Sequence, residues 1–107
     1  MAELVPVTEA DFAEQVLKKE KLVVVDFGAT WCAPCKKLHP LLEELLDEFE
    51  GEVEGAYVDV GANPALARQY GVISVPQTHL FKAGEHLDQV VGLSKRDKYK
   101  QLIEQYK

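Results

Sequence analysis

Two cysteines, Cys32 and Cys35, stand in the run Trp31-Cys32-Ala33-Pro34-Cys35, and the chain has no others. A thiol two residues from its partner can attack a mixed disulfide that the partner has formed, so a Cys-x-x-Cys pair holds both halves of a thiol-disulfide exchange reaction. The pair follows the apolar segment Leu22 to Phe27 and opens a helical pattern, which predicts a strand-to-helix junction. At such a junction the Cys32 sulfur faces unpaired backbone N–H groups and the positive end of the helix dipole, and both favour its thiolate. Cys35, one turn inward and expected to be more covered, is the candidate resolving thiol. Two other uses of the pair compete with exchange. A fixed disulfide closing so short a loop would stabilise little. A zinc site would need two further ligands, and His39, His79 and His86 are scattered without metal-ligand spacing.

Length and composition narrow the setting. A chain of 107 residues with 47% hydrophobic content is expected to form a single domain over 1–107 and to fold without a metal or structural disulfide. No apolar run approaches the roughly 20 residues needed to span a bilayer. The start, Met1-Ala2-Glu3-Leu4-Val5-Pro6, lacks a basic region followed by an apolar stretch, so no secretory signal is expected and a cytoplasmic location is the default. A net charge of −6 disfavours nucleic acid as a partner, because that affinity rests on basic side chains. The small basic groups at Lys18-Lys19, Lys36-Lys37 and Lys95 to Lys100 read as solvated helix faces.

The elements follow from periodicity. Thr8 is positioned to cap a first helix carrying Phe12, Ala13, Val16 and Leu17. Leu22 to Phe27 reads as a central strand covered on both sides, with Asp26 inside it. Leu38, Leu41, Leu42, Leu45, Leu46 and Phe49 predict a long amphipathic helix that contains Pro40, expected to kink it, and stops at Gly51. Glu52 to Val60 reads as a second central strand, Asn63-Pro64 opens a short helix ended by Gly71, and the segments from Thr78 and His86 form a hairpin around Ala83-Gly84-Glu85. Ser94 is the expected cap of a last helix bearing Tyr99, Leu102, Ile103 and Tyr106. The sum is an α/β fold: a mixed central β-sheet with helices on both faces and the cysteines at the carboxyl end of a central strand.

Asp26-Phe27, Ala29, Trp31-Cys32, Pro34-Cys35-Lys36, Pro40, Val75-Pro76, Phe81, Gly84 and Gly92 together, in order and over nearly the whole chain, resemble the thioredoxin family. The resemblance implies the thioredoxin fold and a small protein-disulfide reductase with no bound cofactor beyond its own redox-active Cys32-Cys35 disulfide. Its implied partners are oxidised protein substrates and a thioredoxin reductase, either flavin- and NADPH-dependent or ferredoxin-linked. It implies that Cys32 attacks and Cys35 resolves. Asp26 has an independent reading, since a carboxyl inside an apolar strand is costly to ionise and its pKa should rise. By resemblance it accepts the Cys35 proton.

By resemblance also, the bond before Pro76 is cis and packs against the cysteines. The Val75 backbone can then pair with an extended substrate, while Trp31, Ala33, Pro34, Val60, Pro76, Val91 and Gly92 supply a shallow apolar rim. Ala33 replaces the more usual Gly, Gly28 stands where a large aromatic is common, and Tyr57 replaces a Lys, which leaves Asp26 without that counter-charge. His79 is expected to be a surface-facing or hydrogen-bonded strand residue. A monomer without membrane or nucleic-acid contacts is the expected form. An oxidase or isomerase of the same fold, or a redox-silent binding subunit using the apolar rim, are the alternatives.

Overall fold

The computed structural model describes residues 2–107. Its frame is set by β2 (Leu22–Gly28), in which all seven residues are buried. A strand this apolar can lie only where both faces are covered, and it occupies the middle of a five-stranded sheet of order β1-β3-β2-β4-β5. β3 (Val53–Asp59) runs parallel to β2, and β4 (Gln77–Lys82) runs antiparallel to it. β5 (Glu85–Val91) pairs with β4 as a hairpin. Ala83 at φ 50° and Gly84 at φ 85° form its two-residue turn, the left-handed pair that suits the twist of a tight hairpin.

Alternation along β2 sorts the two cores. Leu22 and Val24 pack with Leu38, Leu42, Leu45 and Leu46 of α1 (Ala33–Asp47), and with Tyr99 and Ile103 of α3 (Arg96–Tyr106). Val23, Val25 and Phe27 face the other way, onto Phe12, Val16, Phe81 and Leu66, the last from α2 (Pro64–Gln69). Helices therefore cover both faces, and α1 is the crossover between the parallel strands β2 and β3.

Several local expectations are corrected. A strand that periodicity did not reveal, β1 (Val5–Pro6), adds to the free edge of β3; two residues are too few to show alternation. The first helix is a single π-helical turn, Ala13–Leu17, with Phe12 at its N-cap. Thr8 does not cap it: the Thr8 N–H and hydroxyl both donate to the Asp11 carboxylate. Ser94 does not cap α3 either, because Lys95 is the N-cap residue and the Ser94 N–H donates to the Tyr99 hydroxyl. Of the two readings of His79 the hydrogen-bonded one holds, since it is wholly buried and bonded to Gln77 and His86. α1 ends at Asp47, and Gly51 at φ 86° serves the turn beyond it.

One contact in this frame is close enough to test. A Cβ built at Gly55 in β3 would lie 2.6 Å from Leu4 and from Leu46, both buried. Gly55→Ala is expected to lower stability by about 1–3 kcal/mol through overpacking. A urea midpoint equal to that of the parent, at unchanged slope, would show that the two leucines move aside freely.

Candidate functional site

The sheet order brings four strand ends to one edge. β2 and β3 end there, β4 begins there because it is antiparallel to β2, and β5 ends there because it is antiparallel to β4. The loop after β2 leads at once into α1, and Cys32 is the N-cap residue of that helix. In place of a hydroxyl or carboxylate, its sulfur accepts the Cys35 N–H at 3.2 Å. This is N-cap chemistry with sulfur as the acceptor, and it favours negative charge on that sulfur whenever the pair is reduced. Pro34 in the first turn fits a position whose N–H has no helical partner.

Cys32 and Cys35 are joined by a disulfide, with Cα atoms 5.3 Å apart. The two residues are equally buried at 5% exposure, so the expectation that Cys35 is the more covered does not hold for the oxidised pair. They pack with Ala29 and are flanked by Val60 and Val75. The Cys32 sulfur lies 3.8 Å from the Val75 carbonyl oxygen, and the Val75-Pro76 peptide is cis. Hydrogen bonds tie the neighbouring loops together: the Gly92 N–H donates to the Pro76 carbonyl at 2.8 Å, and the Tyr99 hydroxyl donates to the Gly92 carbonyl at 3.3 Å. Around this centre Trp31 is 75% exposed and Val91 60%. Ala33 and Pro34 are also exposed, Val60 and Gly92 are half-buried, and Pro76 is buried. Ile73, two residues before Val75, is 99% exposed. It was not among the rim residues expected from the sequence, although an exposed apolar residue beside that proline was the available signal.

Asp26 and Gly28 share the α1-facing side of β2 with Leu22 and Val24. A Cβ at Gly28 would meet the Tyr57 ring at 3.1 Å and Cys35 Cβ at 3.4 Å, so Tyr57 and Cys35 occupy the space beside this glycine. Packing there is not loose. Asp26, one pleat further back, is wholly buried, and among the described residues neither of its carboxyl oxygens has a hydrogen-bond partner. Burial alone pushes its carboxyl from 3.8 up to about 7. Tyr57 brings no counter-charge to Asp26, as expected, while His39 of α1 places Nδ1 3.6 Å from Asp26 Oδ2.

Among the described residues no group of three or more His, Cys, Asp or Glu side chains is placed to hold a metal ion, and no helix is long and apolar enough to cross a membrane.

A thioredoxin family model matches residues 3–105. The chain belongs to the thioredoxin family. Thioredoxin from Staphylococcus aureus is 39% identical over 103 residues, covering 96% of this chain and 97% of that relative. Thioredoxin 1 from Nostoc sp. is 35% identical over 106 residues, 99% of each chain. The structure of a point-mutant thioredoxin from Halobacterium salinarum superposes with a TM-score of 0.87 at 39% identity, covering 97% of this chain and 90% of the other. With the cysteines at bonding distance, this family membership makes the chain a thiol-disulfide oxidoreductase of the protein-disulfide reductase kind. Like other thioredoxins it carries its redox group in its own chain.

A second buried network lies behind the thioredoxin cis-proline loop. The Gln77 amide donates to the Ser74 carbonyl at 3.0 Å, and the Gln77 carbonyl oxygen faces His79 Nε2 at 3.0 Å. An amide oxygen only accepts, so His79 Nε2 carries a proton. A neutral His79 ring then accepts at Nδ1 from His86 Nε2, 2.9 Å away. Burial, and then the neighbouring His86, lower His79 from 6.5 to about 4.

Asp26 and His79 give opposite pH dependences. Between pH 3.8 and 7 Asp26 is protonated in the fold and ionised when unfolded, so its contribution falls as pH rises, by up to about 4 kcal/mol. Between pH 6.5 and 4 His79 is neutral in the fold and charged when unfolded, so its contribution falls as pH drops, by up to about 3 kcal/mol. Asp26→Asn is therefore expected to make stability rise with pH across this window, and His79→Gln to make it fall. Denaturant titrations at several pH values check both; parallel profiles for the two variants would refute the assignment.

Proposed function

We propose that Cys32 is the attacking thiol, Cys35 the resolving thiol and Asp26 the proton acceptor in the reduction of protein disulfides. The observation that carries this reading is the Cys35 N–H donated to the Cys32 sulfur at the head of α1. That hydrogen bond and the helix dipole favour a thiolate on Cys32 over one on Cys35, which has no comparable donor in the first turn.

The chemistry runs in two displacements. The Cys32 thiolate attacks one sulfur of the substrate disulfide, forms a mixed disulfide and releases the other substrate sulfur as a thiolate. Cys35 then loses its proton to the Asp26 carboxylate, and its thiolate attacks Cys32 Sγ. The Cys32-Cys35 bond forms, the bond to substrate breaks, and the second substrate sulfur leaves as a thiolate that takes up a proton. A carboxyl held at about 7 accepts and returns a proton near neutral pH, whereas an ordinary one at 3.8 would accept poorly.

The rim of Trp31, Ala33, Pro34, Val60, Val75, Pro76, Val91 and Gly92 is the surface we assign to substrate. Trp31, Ala33, Pro34 and Val91 are exposed, Val60 and Val75 pack against the disulfide, and the backbone of Val75 beside Cys32 is suited to an extended segment. The contact is shallow, so choice among substrates rests on an accessible disulfide more than on side-chain pockets. We further assign the chain to the cytoplasm as a monomeric single domain over 1–107, recharged by a thioredoxin reductase of the flavin- and NADPH-dependent or ferredoxin-linked type. Kinship with bacterial thioredoxins supports these assignments.

The reduction potential of the Cys32/Cys35 couple is the first test. Equilibration in defined thiol/disulfide buffers, read by Trp31 fluorescence or thiol trapping, is expected to give a value near about −270 mV. A value at about −120 to −180 mV would move the direction to oxidation or isomerisation. Cys35→Ser is expected to accumulate the mixed disulfide with substrate, and Cys32→Ser to form none; accumulation in Cys32→Ser instead would reverse the two roles.

A further inference from the structure

His39 occupies the step between the buried acid and water. It sits on α1 one turn after Cys35 and lines an opening of about 280 Å³ with Ala29, Thr30, Cys35, Lys36 and Tyr57. Its Nδ1 is 3.6 Å from Asp26 Oδ2 and its Nε2 is 3.4 Å from Glu43 Oε2. The ring is thus held between two carboxylates, one with no exposure and one partly exposed. Its orientation is fixed from two sides. The Tyr57 ring of β3 meets it edge to face, with centroids 5.2 Å apart, and Glu43 is itself anchored by the Leu4 N–H at 3.0 Å. The 3.6 Å contact is longer than a hydrogen bond, so proton passage requires the two groups to approach further.

We propose that His39 is a positioning residue for the reduction step: it links Asp26 to solvent and, as an imidazolium, holds Asp26 in the carboxylate form that accepts the Cys35 proton. This rests on the proposed role of Asp26. Before resolution the Asp26 carboxyl passes its own proton to Nδ1 of the neutral His39 ring, which leaves the carboxylate that takes the Cys35 proton. The imidazolium so formed releases the proton on Nε2 to water beside Glu43. No electrons move in this relay, and exchange with solvent restores the starting tautomer. The charged and titratable groups facing the ring are Asp26 from β2, Tyr57 from β3, and Glu43 and Lys36 from α1. Tyr57, raised by burial and then by Asp59 and Asp26, stays neutral and contributes shape rather than charge.

The test separates the two displacements with a chromogenic aryl disulfide, whose first thiolate is released when Cys32 attacks and whose second is released when Cys35 resolves the mixed disulfide. Stopped-flow absorbance follows both as a function of pH. In His39→Gln and His39→Ala the midpoint of the resolution step is expected to move to higher pH by about one unit, close to tenfold in rate below the midpoint, while the first release is unchanged. Free imidazole is expected to restore part of the rate to His39→Ala and to leave the parent unaffected. In an Asp26→Asn background, replacing His39 is expected to have no further effect. An unmoved midpoint in His39→Gln, or equal slowing with and without Asp26, overturns the role of His39 and leaves that of Asp26 standing. If Asp26→Asn itself resolves the mixed disulfide at the parental rate and pH dependence, the reading of Asp26 fails and the link through His39 fails with it.

Discussion

The withdrawal of one carboxyl from water is the constraint around which this molecule is arranged. Asp26 lies on the central strand with no exposure and no protein hydrogen bond to either oxygen among the described residues. A carboxylate in such a place is disfavoured, and protonation is the cheapest relief. Its proton therefore exchanges near neutral pH instead of near pH 4. That outcome needs β2 to be covered on both faces, which in turn needs α1 and α3 on one side and the π-helical turn and α2 on the other. A sheet with one wet face would hydrate Asp26 and return it to the ordinary carboxylate range.

The same strand supplies the other half of the chemistry by where it ends. Gly28 closes β2 without a side chain, so the Tyr57 ring and Cys35 come close to the backbone there. Four residues on, Cys32 starts α1 with its sulfur turned to the Cys35 N–H. β4 is antiparallel to β2 and β5 to β4, so the start of one and the end of the other bring Val75-Pro76 and Gly92 to the same edge. These loops hold one another through the Gly92 to Pro76 and Tyr99 to Gly92 hydrogen bonds. The Gln77, His79 and His86 chain braces Ser74 from behind. The disulfide, nearly covered itself, is thereby carried among three loops that are individually short and mutually bonded.

What the sequence revealed follows the range of the interaction involved. The continuous apolar run Leu22 to Phe27, the leucine repeat of α1 and the turn at Ala83-Gly84 are local patterns, and the structure has each where the pattern lies. The Cys-x-x-Cys motif was legible because its chemistry is contained in four residues. Caps were misread at Thr8 and Ser94 because a hydroxyl near a helix start has several partners within reach, and Asp11 and Tyr99 took the hydrogen bonds. β1 was missed because two residues carry no period. His39 was read only as a failed metal ligand, since its relation to Asp26 depends on how α1 lies over β2 and has no signature in spacing. His79 stood between an outward and a hydrogen-bonded reading for a similar reason: a polar residue in a strand looks outward until its partner, here His86 across the hairpin, is known.

Keeping Asp26 dry has a stability cost, and its size explains the composition of its neighbourhood. At pH values where the unfolded chain is ionised, holding this carboxyl at about 7 costs about 4 kcal/mol, a large part of the 5–15 kcal/mol by which a domain of this kind is stable. Each fully buried Val, Leu or Phe returns about 1.5–3 kcal/mol. Leu22, Val23, Val24, Val25 and Phe27, all essentially without exposure, lie on the same strand as the acid. Two or three of them offset its burial, and the rest hold the strand in the centre of the sheet. A polar substitution at Leu22 or Val24, which share the face of Asp26, would do more than weaken the core, because water admitted on that face would reach the carboxyl and lower its proton affinity. Stability and reactivity at this site are thus two consequences of one dry strand, and selection on either acts on the same side chains.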